Sequence, residues 1–386
     1  MKSLLFIIPH LLHGGTNKSL QNILLEIDKT KYDIHIYSLF DRGVYKPLFK
    51  GFLVKRGTFI KFSFCTWYIP AVLNKLKNRK SVSILELLFI KESNRIQNQI
   101  RPDIVISFEE GLATRFGSCF TRTRKIAWVQ CDFARYIKSI NNERSIKVEE
   151  DIYRCFDRIV CVSKYTMLSM SSVFPRLSDR ITFSYNMLNI ENVRRLGQKV
   201  IDDTNYDTSL FTLLSIGRCE AVKRFDFIPS IVKNILRRRP VCKFKWYIMA
   251  PEDGSLINKI KDEINRLKLE DYIVLLGGKS NPYPYINKAD LIVCLSESES
   301  WSYVINEAIL LHTPVVTTDF DAAYEVVNSD TGIIAEIEKI AEILYELIND
   351  KNGKYSSLKE TAEEYQFSND IAVQQFNSIL GSINSH

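Results

Sequence analysis

Apolar positions in this chain gather in short runs separated by stretches with helical spacing. "SLLFIIPH" opens the chain as one such run, and "YDIHIYSLF", "DIVISFE", "KIAWVQ" and "DRIVCVS" repeat the theme. After the first run come His13, Gly14 and Gly15, then "TNKSLQNILLEIDK" with the spacing of an amphipathic helix. Apolar strands alternating with helices predict a parallel sheet covered on both faces. The series ends near "RITFSYNMLNI". Residues 191–208 are polar and carry no strand pattern, and they are expected to be a linker. A second series begins at "FTLLSIG" and continues through "KFKWYIMA", "DYIVLLGG", "ADLIVCLS", "PVVTTDF" and "TGIIAE", with helical spacing between the runs. The expected organisation is a first α/β domain over 1–190, the linker 191–208, a second over 209–365, and a C-terminal helix within 366–386 that packs back toward the first.

At 386 residues the chain is long enough for two such domains, each with its own core. No apolar run reaches the ~18 to 20 residues that cross a bilayer. The apolar start is broken by Pro9 and His10 and has no small-residue cleavage site after it, so it reads as a buried strand rather than a leader. The eight cysteines form no CxxC pair, which excludes zinc-ribbon and thioredoxin-like readings and fits small buried thiols in a reducing compartment. The net charge of +7 is uneven: residues 42–101 carry thirteen Lys or Arg against Glu86 and Glu92, leaving the rest of the chain net acidic. In "GFLVKRGTFIKFSFCTWYIPAVLNKLKNRK" the cations alternate with aromatic and aliphatic residues, a mixture suited to an anionic lipid surface and equally to a solvated basic face. No pattern of a nucleic-acid-binding fold accompanies the charge, and none is expected to bind.

Open α/β sheets bind ligands beyond the carboxyl ends of their strands. The candidate chemistry falls at such strand-to-helix turns. Gly217 and Arg218 end "FTLLSIG" and Lys223 follows, so that Gly217 allows a tight turn and the two cations suit a diphosphate; as a bare pair they read equally as solvated charges. Gly14 and Gly15 let backbone amides approach an anionic group at a helix start, but the dinucleotide fingerprint GxGxxG is missing, which argues against NAD. "SESESWSYVINEAILLHTPVV" sets Glu299 in a turn and Glu307 on the helix behind it. Backbone amides from Ser300 through Trp301, Ser302 and Tyr303 to Val304 could meet a phosphate, and the two carboxylates could accept from sugar hydroxyls.

In their order, Gly217-Arg218…Lys223, "GGKSNPYPYI" at 277–286 and Glu299…Glu307-Ala308 followed by Pro314-Val315-Val316 resemble the retaining nucleotide-sugar glycosyltransferases known as glycosyl transferases group 1 (family 4), of the bacterial surface-polysaccharide type. The Gly14-Gly15 turn, "FDRIVCVSKYT" and "FSYNMLNIENV" extend the resemblance over nearly the whole chain. It implies the GT-B fold: two facing, doubly wound, Rossmann-like domains with an interdomain cleft. It implies that Glu307 holds the ribose hydroxyls and that Glu299 contacts the transferred sugar. Arg218 and Lys223 would clamp the diphosphate, Gly15 would bring its amide to the phosphate or sugar, and the turn of Gly278, Lys279 and Ser280 would lie at the base.

The chain departs from the family in three places. Ser300 and Ser302 stand where E-G-F-G has glycines, "APEDG" at 250–254 replaces G-D-G, and Gln130 stands at the His of the "IAW-x-H-x-D" turn, with Asp132 beyond it. Gln130 can bond a sugar hydroxyl but exchanges no proton near neutrality. The His role is then one of binding alone, or the sugar is positioned differently, or activity is impaired. His312 ends a helix and reads as a cap against its dipole. The Asp319-Phe320-Asp321 run resembles the metal-binding D-x-D of another fold; the resemblance implies a donor-side loop here and no metal.

The expected function is transfer of a sugar from a nucleoside diphosphate sugar, with UDP favoured, to a hydroxyl of a glycan acceptor carried on a lipid. The setting would be capsule, exopolysaccharide or O-antigen synthesis, in the cytoplasm or peripheral at the inner membrane through residues 42–101. No cofactor beyond the nucleotide-sugar co-substrate is expected. The alternatives are a nucleotide- or glycan-binding relative without turnover, and a sugar-nucleotide epimerase of the same fold.

Overall fold

A computed structural model describes residues 1–12, 14–40, 43–55, 84–140, 143–202, 206–238, 243–251 and 255–383. The chain divides into two compact units, Met1–Met187 with Asp370–His386, and Leu188–Asn369. Each is built on a six-stranded sheet whose pairings are all parallel.

In the first unit the strands are β1 (Lys2–His10), β2 (Tyr32–Phe40), β3 (Ile104–Ser107), β4 (Arg124–Val129), β5 (Arg158–Cys161) and β6 (Ile181–Phe183), in the order β2-β1-β3-β4-β5-β6. Leu4 to Ile8 of β1 are wholly buried, as a central strand covered on both faces requires. Pairing of Ile7 with Ser107 continues beyond the strand, since the Phe108 amide donates to the carbonyl of Ile7. The turn after β1 is fastened by Asn17, 2% exposed, whose side chain donates to the carbonyls of His10 and Leu12. The last helix, Asp370–Ser382, closes this unit: Phe376 packs on Trp128, and Gln375 accepts from the Tyr185 amide.

In the second unit β7 (Phe211–Ile216), β8 (Phe244–Met249), β9 (Ile273–Leu275), β10 (Leu291–Cys294), β11 (Val315–Thr318) and β12 (Gly332–Ala335) run in the order β12-β11-β10-β7-β8-β9. Within its core Trp246 donates to Ser215, and Ser215 to the carbonyl of Val293. Such bonds contribute about 1 kcal/mol each and leave no polar atom stranded.

Each order contains one place where adjacent strands send their following segments to opposite sides of the sheet. That switch falls between β1 and β3 in the first unit and between β7 and β10 in the second. Ligands of open α/β sheets bind at such points.

The stretch expected as a linker differs from expectation. Residues Ile190–Gly197 form a helix that belongs to the second unit. Asn189 caps it by accepting from the Asn192 amide, and its far end is held by Asn281 and Asn287, which donate to the carbonyls of Leu196 and Gly197. These bonds hold the helix ends, while Val193 is buried and Gly197 packs against Leu311.

Candidate active site

The candidate donor residues stand at the switch point of the second unit. β7 ends at Ile216, and the loop behind it is stitched to the loop after β10 by the Glu297 amide, which donates to the carbonyl of Val222. That stitch brings Lys223, after β7, against Glu299, after β10. The Lys223 ammonium and the Glu299 carboxylate form an ion pair, and Ser296 donates to the same carboxylate oxygen at 2.8 Å. Ser296 is itself buried, and its carbonyl accepts from Thr318. Burial pulls the Lys223 pKa down, but Glu299 beside it outweighs that, and the net shift is upward. A cavity beneath the pair is lined by Ile216, Cys294, Ser296 and Val304. Burial, followed by Glu299, pushes the Cys294 thiol up, so it stays protonated there.

Two expectations about this loop need correction. Gly217 is not the residue that makes the turn: its amide donates to the carbonyl of Met249, and the left-handed residue is Arg224, at φ 52°. A side-chain carbon on Gly217 would make only ordinary contacts with Phe225 and Lys223, so the spacing does not demand glycine there. Arg218 does not reach the ion pair as a fork; its side chain is 77% exposed and pairs with Glu220 at 2.9 Å. An arginine directly after a strand points into solvent when no anion is there to draw it in.

Glu307 lies in the helix Tyr303–Leu310, is 2% exposed, and accepts from the Tyr283 hydroxyl at 3.3 Å. Ser302 caps that helix by position but makes no side-chain cap bond. Ser300 and Trp301 lie in the connecting turn. Gly278, Lys279 and Ser280 follow β9, and a side-chain carbon on Gly278 would only touch Pro251, so no close approach demands glycine there. The left-handed residue is Gly277, at φ 68°. Of "APEDG", residues 252–254 lie outside the described residues. His312 takes a left-handed conformation, and its Nδ1 donates to the carbonyl of Ala362, a tertiary contact rather than a helix cap.

The switch point of the first unit holds the other candidates. Gly14 precedes the helix Gly15–Glu26 in extended conformation, with open space where a side chain would stand. Gln130 follows β4; its amide donates to Glu110 at 3.0 Å, while its side-chain Nε2 is buried and finds no partner. Asp132 is already engaged: Tyr165 and Ser169 donate to its two oxygens, and the Arg135 amide makes a long third contact. It holds the turn and is not presented to a ligand.

One residue that sequence reasoning passed over stands beside these. Glu109, after β3, is half-buried, and burial pushes its carboxyl up to about 8, with Glu110 adding to the rise and a hydrogen bond with Thr16 opposing it. The sequence shows "FEEG" and nothing more; burial beside a second carboxylate is a tertiary fact.

Among the described residues no His, Cys, Asp and Glu side chains gather as a metal-holding group. A cavity of about 1000 Å³ opens at the amino-terminal edge of the first sheet beside Arg101, Arg122 and Lys125. It lies at the opposite edge of that sheet from the switch point between β1 and β3.

Residues 211–350 match the family model described as glycosyl transferases group 1. The chain is 23% identical over 237 residues to an uncharacterized glycosyltransferase of Methanocaldococcus jannaschii, covering 58% of this chain and 57% of that one. It is 25% identical over 215 residues, 55% of this chain and 53% of the relative, to the N-acetylgalactosamine-N,N'-diacetylbacillosaminyl-diphospho-undecaprenol 4-alpha-N-acetylgalactosaminyltransferase of Campylobacter jejuni. The matches thus span little more than half the length of these curated relatives. Among solved structures, Anabaena HepE in complex with UDP and glucose matches with a TM-score of 0.72 at 16% identity, over 98% of this chain and 99% of that one. The two six-stranded parallel sheets are those of the GT-B fold.

Proposed function

We propose that this protein is a retaining glycosyltransferase that moves a sugar from a nucleoside diphosphate sugar, UDP-linked, to a hydroxyl of a lipid-carried glycan. The observation that carries the reading is the meeting of Lys223 and Glu299 at the switch point of the second unit, inside the matched segment 211–350. A lysine held by a carboxylate is a cation ready for exchange. When a diphosphate arrives, Lys223 turns to it, and Glu299 is released to the hydroxyls of the transferred sugar. Arg218, tied only to an exposed Glu220, swings in as the second cation. Glu307 holds the ribose, with its position set by Tyr283.

Both cations stabilise the charge that develops on the leaving diphosphate, so the step needs no metal. Retention follows if the acceptor hydroxyl attacks from the face that the diphosphate leaves and a phosphate oxygen takes its proton. The C–O bond to phosphate breaks as the new glycosidic C–O bond forms, and the nucleoside diphosphate departs with the proton. Gln130 positions a sugar hydroxyl through its side chain, and Asp132 acts through the turn it holds.

The Campylobacter relative's named acceptor is an undecaprenol-linked glycan, which supports a lipid-linked acceptor and surface-polysaccharide synthesis here. No helix among the described residues is long and apolar enough to cross a membrane. The basic segment 42–101 is proposed to dock on the inner membrane surface; residues 42 and 56–83 of it lie outside the described residues.

Gln130 also supports a second reading, a binding relative without turnover. Incubation with UDP-sugars and acceptor glycosides separates the two. Transfer with the donor's anomeric configuration kept, read by NMR of the product, supports the first. Nucleotide binding without any transfer supports the second.

A further inference from the structure

We propose that Glu109 is an acceptor-contacting residue of the first unit, its carboxyl hydrogen-bonding a sugar hydroxyl at the switch point between β1 and β3. The inference rests on the glycosyltransferase reading and deepens it, because the family pattern points to the residue after β4 and not to this one.

Topology places Glu109 where a ligand of this sheet would lie. It follows β3 directly, and Thr16, its hydrogen-bond partner, follows the Gly14-Gly15 turn that leaves β1. Polar atoms with unmet capacity stand at the ends of the two strands that flank β3. The Gln130 Nε2 after β4 and the His10 Nδ1 at the end of β1 are both buried and have no partner among the described residues. Buried polar groups in a finished site are almost always satisfied. A ligand rich in hydroxyl groups, each able to donate and accept, would satisfy this set, whereas an anion would meet Glu110 as a like charge.

The charges facing Glu109 favour its neutral, proton-donating form. Glu110 lies beside it, and Thr16 is the group offered by the helix Gly15–Glu26. Cys131 and Tyr136 beyond β4 are both pushed upward, by burial first and then by carboxylates, and so carry their protons. The cation of the neighbouring helix Leu112–Ser118, Arg115, is taken by Glu149. No lysine or arginine among the described residues forms an ion pair with Glu109. A protonated carboxyl here donates to a hydroxyl oxygen of the sugar, and the same oxygen can accept from the Gln130 Nε2.

The test uses the full chain and the variants Glu109→Ala and Glu109→Gln. Nitrophenyl N-acetylhexosaminides serve as acceptor probes, with UDP present, and binding is read by saturation-transfer NMR between pH 6 and 9. Stabilisation by UDP alone is measured in parallel. The expected result is wild-type sugar binding that weakens as pH rises through about 8. Glu109→Ala binds about tenfold more weakly at pH 7. In Glu109→Gln, which cannot ionise, the alkaline loss disappears, and UDP stabilises all three proteins alike. Unchanged sugar affinity in Glu109→Ala overturns the proposal, as does an alkaline loss that persists in Glu109→Gln or a wild type that binds no probe while UDP is bound. If UDP stabilises none of the three, the glycosyltransferase reading itself fails and takes this inference with it.

Discussion

The two units put a glutamate at the same topological place and give it opposite surroundings. Glu299 meets an ammonium, a serine hydroxyl and a small cavity. Glu109 meets a threonine hydroxyl and a second carboxylate, with its pKa raised by burial. Sheet topology fixes where a ligand binds; which ligand it is follows from the side chain that faces the glutamate. With a lysine opposite, the site is poised for an anion that can take the lysine over. With no cation opposite, the carboxyl holds its proton and suits a neutral polyol. On this account one switch point serves a charged donor and the other an uncharged acceptor.

Breaking the charged side should give the largest effect. Lys223→Ala removes the cation and leaves Glu299 without its ionic partner. Transfer is expected to fall about 10²- to 10³-fold, and stabilisation by UDP to vanish. A variant that transfers within a few-fold of wild type would put the diphosphate elsewhere.

The uncharged side is next, and it is read through stability. The Glu109 carboxyl is raised from its ordinary 4.5 to about 8 in the folded chain. Between those values the folded state holds a proton that the unfolded state has lost, so the contribution of this group is full below the lower value and declines as pH rises through about 8. Glu109→Gln removes that dependence. Its stability should exceed that of wild type increasingly from pH 6 to about pH 8 and then by a constant amount, on the order of 2 kcal/mol once screening at a part-exposed site is allowed for, read as a widening gap in melting temperature. A constant offset across that range would mean that Glu109 is ionised throughout.

Smaller effects sharpen the donor side. Tyr283→Phe deletes one bond to the buried Glu307 and should cost about 1 kcal/mol of stability, with UDP affinity down several-fold. Ser296→Ala frees one oxygen of Glu299 from its 2.8 Å bond and should lower kcat about fivefold while leaving UDP affinity intact. If Ser296→Ala weakens UDP binding instead, Ser296 supports the diphosphate pocket rather than the sugar-contacting carboxylate.

Much of this was legible in the sequence, for physical reasons that also explain the rest. Strands buried on both faces must be apolar throughout, so "LLFIIPH" and "LIVC" announce themselves, and observed ends fall within a few residues of the expected ones. The helix Ile190–Gly197 was hidden because it is short and its apolar stripe is thin, with Val193 buried between charged neighbours and asparagine bonds at both ends. At the site, the order of motifs shared with a known family pointed to Lys223, Glu299 and Glu307. Their partners did not show: Lys223 meets a glutamate 76 positions away, and Glu307 meets Tyr283 across 24. The Arg218 side chain is exposed and pairs with Glu220, a partner that the motif does not show. Glu109 was missed because its raised pKa comes from burial and from a neighbour that the fold packs around it.

The central claim is that the second unit binds a nucleoside diphosphate at its switch point. Thermal stabilisation by UDP, GDP, ADP and CMP, measured on the wild type and on Glu307→Ala, tests it most directly. A ligand at ~100 times its dissociation constant adds about 2.7 kcal/mol, well within reach of a melting curve. The account predicts that UDP raises the melting temperature of the wild type and that Glu307→Ala loses the rise. A wild type that none of the four nucleotides stabilises would contradict it.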